Sequence, residues 1–235
     1  MQTQVVTTRH GGAKAWAWSY SKLKNFETCP KRHWHIDLAK DVKEDESEEL
    51  KFGNDLHKAM ARRLEKGEAL PKQFQSFEPW ALKVLSPFGR MTGAKLLVEQ
   101  QLAINEALEP VTWFDKQAWY RGIADVLTIW GPVAMAGDWK TGKVKEDGSQ
   151  LALMAACVFA HHPQVERIRT EFFWLKEDAT SRADFSRADM VGMWNGMAPR
   201  VQTMKQAHDQ QNYPPKSGPL CRRWCPVVAC PHHGT

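Results

Sequence analysis

The stretch "AGDWKTGK", residues 136–143, sets Asp138 and Lys140 two positions apart just before a Thr-Gly turn. Side chains at i and i+2 leave a strand on one face, so an acid and a base would share one space there. Solvated strands also alternate charges, so the neighbouring strand has to decide. Upstream, "AWYRGIADVLTIW" (118–130) has the branched and aromatic content of a strand, and Gly131-Pro132 would join the two segments as an antiparallel hairpin. Pairing symmetric about that turn places Asp125 opposite Asp138, with Cβ atoms about 4.5–5.5 Å apart. Two facing carboxylates repel, and one is pushed toward its protonated form. A hard divalent cation held by oxygen ligands, Mg²⁺ or Mn²⁺, would remove that cost. Two solvated carboxylates near a hairpin end remain the other reading of these residues.

Working outward, "AKLLVEQQLAI" (94–104) and "RIRTEFFWLK" (167–176) read as further strands, and an apolar helix is expected over about 150–161. Glu99 lies on the more polar face of its strand, either in reach of the same cation or simply solvated. A helix of about 48–66 has Leu56, Met60 and Leu64 at helical spacing and Gly67 to end it. Shorter helices are expected from Ser19 to Cys29-Pro30 and over "FEPWALKVLSPFGR", the latter interrupted by Pro87. A last helix should run from about Ser186 to His208. Residues 1–18 read as a tail and 19–235 as one α/β domain. Its sheet is mixed and mostly built of antiparallel hairpins, with flanking helices and a cysteine-rich end at 213–235.

The composition, 43% hydrophobic and 25% charged over 235 residues, suits a folded chain that needs no disulfides to hold a core. A net charge of +5 permits a polyanionic partner without demanding one. The longest apolar run, "LALMAACVFA" (151–160), is too short to cross a bilayer, and "MQTQVVTTRHGG" has no apolar signal core. A cytoplasmic location with no membrane association is therefore expected, and disulfides are disfavoured there. Most of the eleven tryptophans should pack in the core. A few would be free to stack on bases.

With these residues in hand, the chain resembles the PD-(D/E)XK nucleases, and among them the RecB-type and CRISPR-adaptation exonuclease branch. Gly122 and Asp125 match a G-x-x-D element, and Asp138, Lys140, Thr141 and Gly142 match (D/E)-x-K-T-G. Gly53 and His57 in "FGNDLHKAM" match an upstream G-x-x-x-H. Gln150 opens the downstream Q-x-x-x-Y, where Met154 stands in place of tyrosine. The resemblance implies a restriction-endonuclease-like core and an Mg²⁺- or Mn²⁺-dependent deoxyribonuclease. Such an enzyme would act on single-stranded DNA or free ends in recombination, repair or replication, with room for a protein partner in a recombination or repair complex. It implies His57, Asp125, Asp138 and the backbone carbonyl of Trp139 as metal ligands, Lys140 at the attacking water and the phosphate, and Gln150 on the DNA backbone. A histidine satisfied inside the core is the alternative for His57. A nucleic-acid-binding module that has lost cleavage is the alternative for the whole.

Cys221, Cys225 and Cys230 cluster in "CRRWCPVVAC", and Cys29 lies far upstream; Cys29, Cys225 and Cys230 each precede a proline. This pattern resembles the iron–sulfur members of the same branch, in which a [4Fe–4S] cluster joins the two chain ends. A Cys₄ zinc site, or one recruiting His232 or His233, is the alternative. Cys157, with His161 four residues on, has the spacing of a nucleophile–base pair. Its apolar setting reads instead as a buried, inert thiol.

Overall fold

The computed structural model describes residues 16–44, 47–88, 92–145 and 147–235. Six strands form one sheet: β1 (Lys95–Ile104), β2 (Pro110–Val111), β3 (Tyr120–Trp130), β4 (Val133–Lys140), β5 (Arg167–Trp174) and β6 (Ala179–Ser186). Their order is β2-β1-β3-β4-β5-β6, and every neighbouring pair is antiparallel except β4 and β5. A parallel pair needs a crossover. Here the crossover is helix α5 (Gly148–His161), begun by the Asp147 side chain accepting from Ser149 N.

The remaining helices are α1 (Tyr20–Thr28), α2 (Pro30–His33), α3 (Glu48–Lys66), α4 (Glu78–Phe88) and α6 (Asp189–Asp209). Ser19 caps α1 and Ser47 caps α3 through their side chains. Gly67 closes α3 at φ 70°, a left-handed conformation that glycine adopts freely. The expected break at Cys29-Pro30 is present. Cys29 is extended, and the chain restarts at Pro30, running through α2 into a π-helical turn at Trp34–Ala39.

Each face of the sheet is covered. On one side Leu151 to Phe159 of α5 are all buried, so this helix is apolar around its circumference and sits between the sheet and α1 and α6. On the other side Leu56, Met60 and Leu64 of α3, with Trp80 and Val84 of α4, pack on Val126, Trp139 and Phe173. Among the described residues no helix is long and apolar enough to cross a membrane. Residues 1–15 of the expected tail lie outside those described. Trp18 is buried, and its backbone pairs with β3 through Trp18 N to Trp119 O and Arg121 N to Trp18 O.

Two expectations need correction. The last helix starts at Asp189 rather than Ser186, because β6 occupies 179–186 and Asp189 accepts from both Ser186 N and Ser186 Oγ. The strand expected over 167–176 stops at Trp174, where the chain turns into β6. An edge strand such as "ATSRADFS" needs no apolar row on its outer face, so period alone does not reveal it.

The β3–β4 ladder runs from Trp130↔Val133 to Val126↔Gly137. That is the register inferred from the Gly131-Pro132 turn, and extended by one residue it sets Asp125 opposite Asp138. The ladder ends there. Beyond it β3 keeps pairing with β1, while β4 keeps pairing with β5 through Lys140↔Trp174.

Gly137 stands at this fork. A Cβ on it would lie 2.3 Å from Phe173 Cε2 and 2.8 Å from Val126 Cγ1, both buried. Gly137→Ala is expected to destabilise the fold by about 1–3 kcal/mol through overpacking. Urea unfolding followed by circular dichroism measures this; an unchanged midpoint would show that the two strands relax apart at no cost.

Candidate active site

Where β3 and β4 part, Trp139 N has no strand partner across the gap. The Asp125 carboxylate takes that role, accepting from Trp139 N at 2.7 Å through Oδ2. The same oxygen lies 3.3 Å from His57 Nδ1, presented by α3. The Trp139 backbone adds to the pull that raises the His57 imidazole. Glu99 completes a group in which one ligand atom each from His57, Glu99 and Asp125 lies within 4.8 Å of the others.

Glu99 sits opposite Asp125 between the pairs Val98↔Val126 and Gln100↔Ala124, in an unbroken register but at φ 49°. A non-glycine residue in the left-handed region is uncommon and costs of the order of 1 kcal/mol. Such outliers persist where the surroundings fix them.

Asp138 stands beside this group rather than inside it. Lys140 Nζ lies 2.7 Å from Asp138 Oδ2, and Gln150 Nε2 donates to Asp138 Oδ1 at 2.9 Å. Lys140 Nζ also donates to Gln150 Oε1 at 3.2 Å and lies 4.8 Å from the Phe172 ring centroid. Asp138 Oδ2 is buried and makes no well-directed hydrogen bond, since Lys140 meets it outside hydrogen-bond geometry. An orphaned buried carboxylate oxygen next to an oxygen-and-imidazole group fits a hard divalent ion.

The electrostatics agree with that fit. Asp138 is pushed up to about 6, first by burial and then by the Asp125 charge. Burial would lower His57, but its hydrogen bond and charge interaction with Asp125 outweigh this, and the imidazole is raised. Burial and then Asp125 raise Glu99. Like charges crowded out of water therefore await a cation.

The two upstream and downstream motifs meet physically. A Cβ on Gly53 would lie 3.0 Å from Thr141 Oγ1, so the glycine lets α3 close on the end of β4 and deliver His57. Gln150, in the first turn of α5, reaches back to Asp138 and Lys140. These residues line a cleft of 1270 Å³ that is also lined by Lys58 and Arg62 of α3 and by Trp113 and Arg121. The motif spacing gave no hint of Trp113 and Arg121, because they contribute to the cleft through a loop and a strand start. Met154 and Cys157 also line it, both buried, and burial pushes the Cys157 thiol far up. His161 Nε2 instead meets the Ala103 carbonyl at 2.7 Å, so it serves no nucleophile.

The cysteines are gathered only loosely. Lys216 N donates to Cys29 Sγ at 3.4 Å, Cys221 Sγ lies 4.0 Å from Lys216 O, and Lys216 Nζ donates to Glu27 O at 2.7 Å. The C-terminal segment thus returns to the end of α1. Among the described residues no three cysteine sulfurs fall within 4.8 Å of one another.

A sequence profile of the PD-(D/E)XK nuclease superfamily matches residues 17–231. The chain belongs to that superfamily. No curated protein sequence matches it. Among solved structures, it is similar to a "Putative exonuclease" from Eubacterium rectale at 12% identity, over 95% of this chain and 92% of that one, with a TM-score of 0.50. The crystal structure of SSO0001 matches at 13% identity over 93% and 88%, with a TM-score of 0.41. At these identities the first likeness concerns the fold alone.

The raised groups set a pH dependence. Asp138 binds its proton more tightly in the fold than in the unfolded chain, so the metal-free fold loses stability as pH rises from about 4 to about 6. The raised His57 adds stability below its unfolded value of 6.5, which is lost as pH climbs through its folded value. A cation requires both groups deprotonated. Millimolar Mn²⁺ should therefore raise the thermal midpoint more at pH 8 than at pH 5.5. Equal gains at both would remove these two side chains from the ligand set.

Proposed function

We propose that this superfamily member is an Mg²⁺- or Mn²⁺-dependent deoxyribonuclease of the RecB-type and CRISPR-adaptation exonuclease branch, acting on single-stranded DNA or on free ends. One observation carries the reading: a buried carboxylate oxygen without a hydrogen bond, on Asp138, faces Lys140 and adjoins the His57–Glu99–Asp125 group at the base of an open cleft. Asp125, Asp138, His57 and the Trp139 carbonyl would hold the ion, with Glu99 on its exposed side. A divalent ion there supplies charge neutralisation on phosphate oxygens and lowers the pKa of water.

The chain's own groups do the rest. Lys140 Nζ, fixed by Asp138 and Gln150, is placed to stabilise negative charge developing on the scissile phosphate. Displacing Lys140 from Asp138 onto the phosphate would free the carboxylate for the ion. The Gln150 amide would then position the nucleic-acid backbone. Because Asp125 and Trp139 are locked together, the site is held before substrate arrives, which reduces the reorganisation needed at the transition state.

At the chain ends we propose a [4Fe–4S] cluster on Cys29, Cys221, Cys225 and Cys230, stapling the C-terminal segment to α1. A Cys₄ zinc site, or one recruiting His232 or His233, is the alternative for the same segment. The domain would then be continuous from residue 19 to the C-terminal segment, with recombination or repair as its setting. The second reading, a nucleic-acid-binding module without cleavage, would need the Asp138–Lys140–Gln150 arrangement to serve binding only.

Two experiments test these readings. With end-labelled DNA and Mg²⁺ or Mn²⁺, Asp138→Asn or Lys140→Ala should each lower the single-turnover rate by at least about a hundredfold while DNA binding persists. Near-normal turnover of Asp138→Asn would assign the chemistry elsewhere. Protein purified without oxygen should be brown with about four irons per chain; a colourless, folded protein with one zinc would replace the cluster by the zinc alternative.

A further inference from the structure

The proposed reaction uses the floor of the cleft and leaves its walls unexplained. On α3, Asn54, Lys58 and Arg62 follow one another at four-residue spacing, which puts them on one face of the helix, and all three line the cleft. Lys58 and Arg62 are exposed. The cleft also has an aromatic part. Trp113 lines it from a loop closed by Asp115 N to Thr112 O at 3.0 Å, Ala118 N to Asp115 O at 3.2 Å and Gln117 N to Asp115 Oδ1 at 2.8 Å.

Arg121 secures that loop. Its Nε donates to Trp113 O at 2.7 Å, and its guanidinium carbon lies 5.9 Å from the Trp113 ring centroid. Phe114 beside it is 88% exposed, and Ile123, which also lines the cleft, is 42% exposed. Trp113, Phe114 and Ile123 belong to none of the hydrophobic clusters of the described residues. Burial in the core therefore does not account for a tryptophan at this place, in a loop that hydrogen bonds hold in one shape.

We propose that Trp113, braced by Arg121, is a stacking platform for an unpaired base, while the Asn54–Lys58–Arg62 stripe carries the phosphates of the same strand toward Lys140. This deepens the nuclease reading above and rests on it for the identity of the ligand. The occupant follows from the stripe and the ring together. Lys58 and Arg62, the latter 3.8 Å from Glu68, favour a polyanion beside the Asn54 amide, and an aromatic face within the same groove favours one whose bases are free. In a duplex every base face except those of the terminal pairs is already covered, so the platform contributes little to binding along intact duplex. Stacking is also tolerant of sequence, because every base offers a π-face. The platform thus selects strandedness and leaves base identity unread.

The test is binding without cleavage, in EDTA, by anisotropy of a fluorescein-labelled oligothymidylate and a blunt duplex of the same length. Trp113→Ala should weaken binding of the single strand about tenfold, within the range of one base–aromatic stack, and change the duplex by less than about twofold. Trp113→Phe keeps a ring on the same loop and should recover most of the loss. Lys58→Ala should weaken both ligands alike and lower the salt dependence by about one counterion. An equal loss on both ligands for Trp113→Ala, no loss at all, or a Phe variant as weak as Ala would each overturn the platform. Cleavage is read separately: a chain that binds the strand with this pattern and never cuts it removes the nuclease reading and leaves the platform standing.

Discussion

The hydrogen bond from Trp139 N to Asp125 Oδ2 is the contact on which the rest of the site depends. A buried backbone N–H must find an acceptor, and at a forking hairpin the strand that would supply one has turned away. A side-chain carboxylate in that position lets the ladder end without an orphaned amide. It also fixes the carboxylate at the base of the gap. The opening of the cleft and the placing of its first anionic ligand are thus one structural event. The strands on either side stay paired, β3 with β1 and β4 with β5, so the gap is held open by intact sheet rather than by a mobile loop.

The two helical layers supply what the sheet cannot. α3 approaches closely enough to bring His57 to Asp125 because Gly53 leaves room for Thr141. α5 is buried from Leu151 to Phe159, which anchors the helix whose half-buried first turn lets Gln150 meet both Asp138 and Lys140. Burial has the opposite effect on charge. It raises Asp138 and Glu99, while the Asp125 charge and hydrogen bond raise His57 against its own burial, which leaves a protonated, metal-free site at acid pH and a repulsive one at alkaline pH. The fold stores this repulsion in a rigid frame, and that is what makes the site receptive to a cation.

Much of this was legible in the residues, for identifiable reasons. A two-residue connection of Gly131-Pro132 leaves little freedom of register, so the facing of Asp125 and Asp138 could be inferred from the turn alone. The 48–66 helix carried its own capping serine and terminal glycine. What the sequence concealed depends on the third dimension. The edge strand β6 is polar on its outer face and lacks a periodic apolar signature. That Glu99 rather than Asp138 joins His57 and Asp125 in the tightest group turns on a backbone at φ 49°, which no residue type announces. The tryptophans looked alike as letters. Trp18 is core, Trp139 is core beneath the site, and Trp113 lies on the cleft wall.

The chain ends and the cleft share one element, α1. At its start the Tyr20 hydroxyl donates to Asp147, the capping residue of α5, and Tyr20 itself lines the cleft. Near its end Glu27 holds Arg200 of α6 through two contacts of 2.6 and 2.9 Å, and Arg200 donates onward to Ser149 in the first turn of α5. Cys29 follows directly, in contact with Lys216. Nine helical residues span about 13 Å, so α1 sets Cys29 roughly that far from Tyr20, which lines the cleft. Both ends of α1 are nevertheless linked to the start of the helix that presents Gln150, Tyr20 through the capping Asp147 and Glu27 through Arg200. A group held by the cysteines, as proposed above, would act on Lys140 through the fold rather than by direct contact. Its mechanical influence is short-ranged, because the Glu27–Arg200–Ser149 and Tyr20–Asp147 contacts bear on the residues immediately before Gln150. Anchoring the C-terminal segment to α1 therefore steadies the side chain that keeps Asp138 and Lys140 in register.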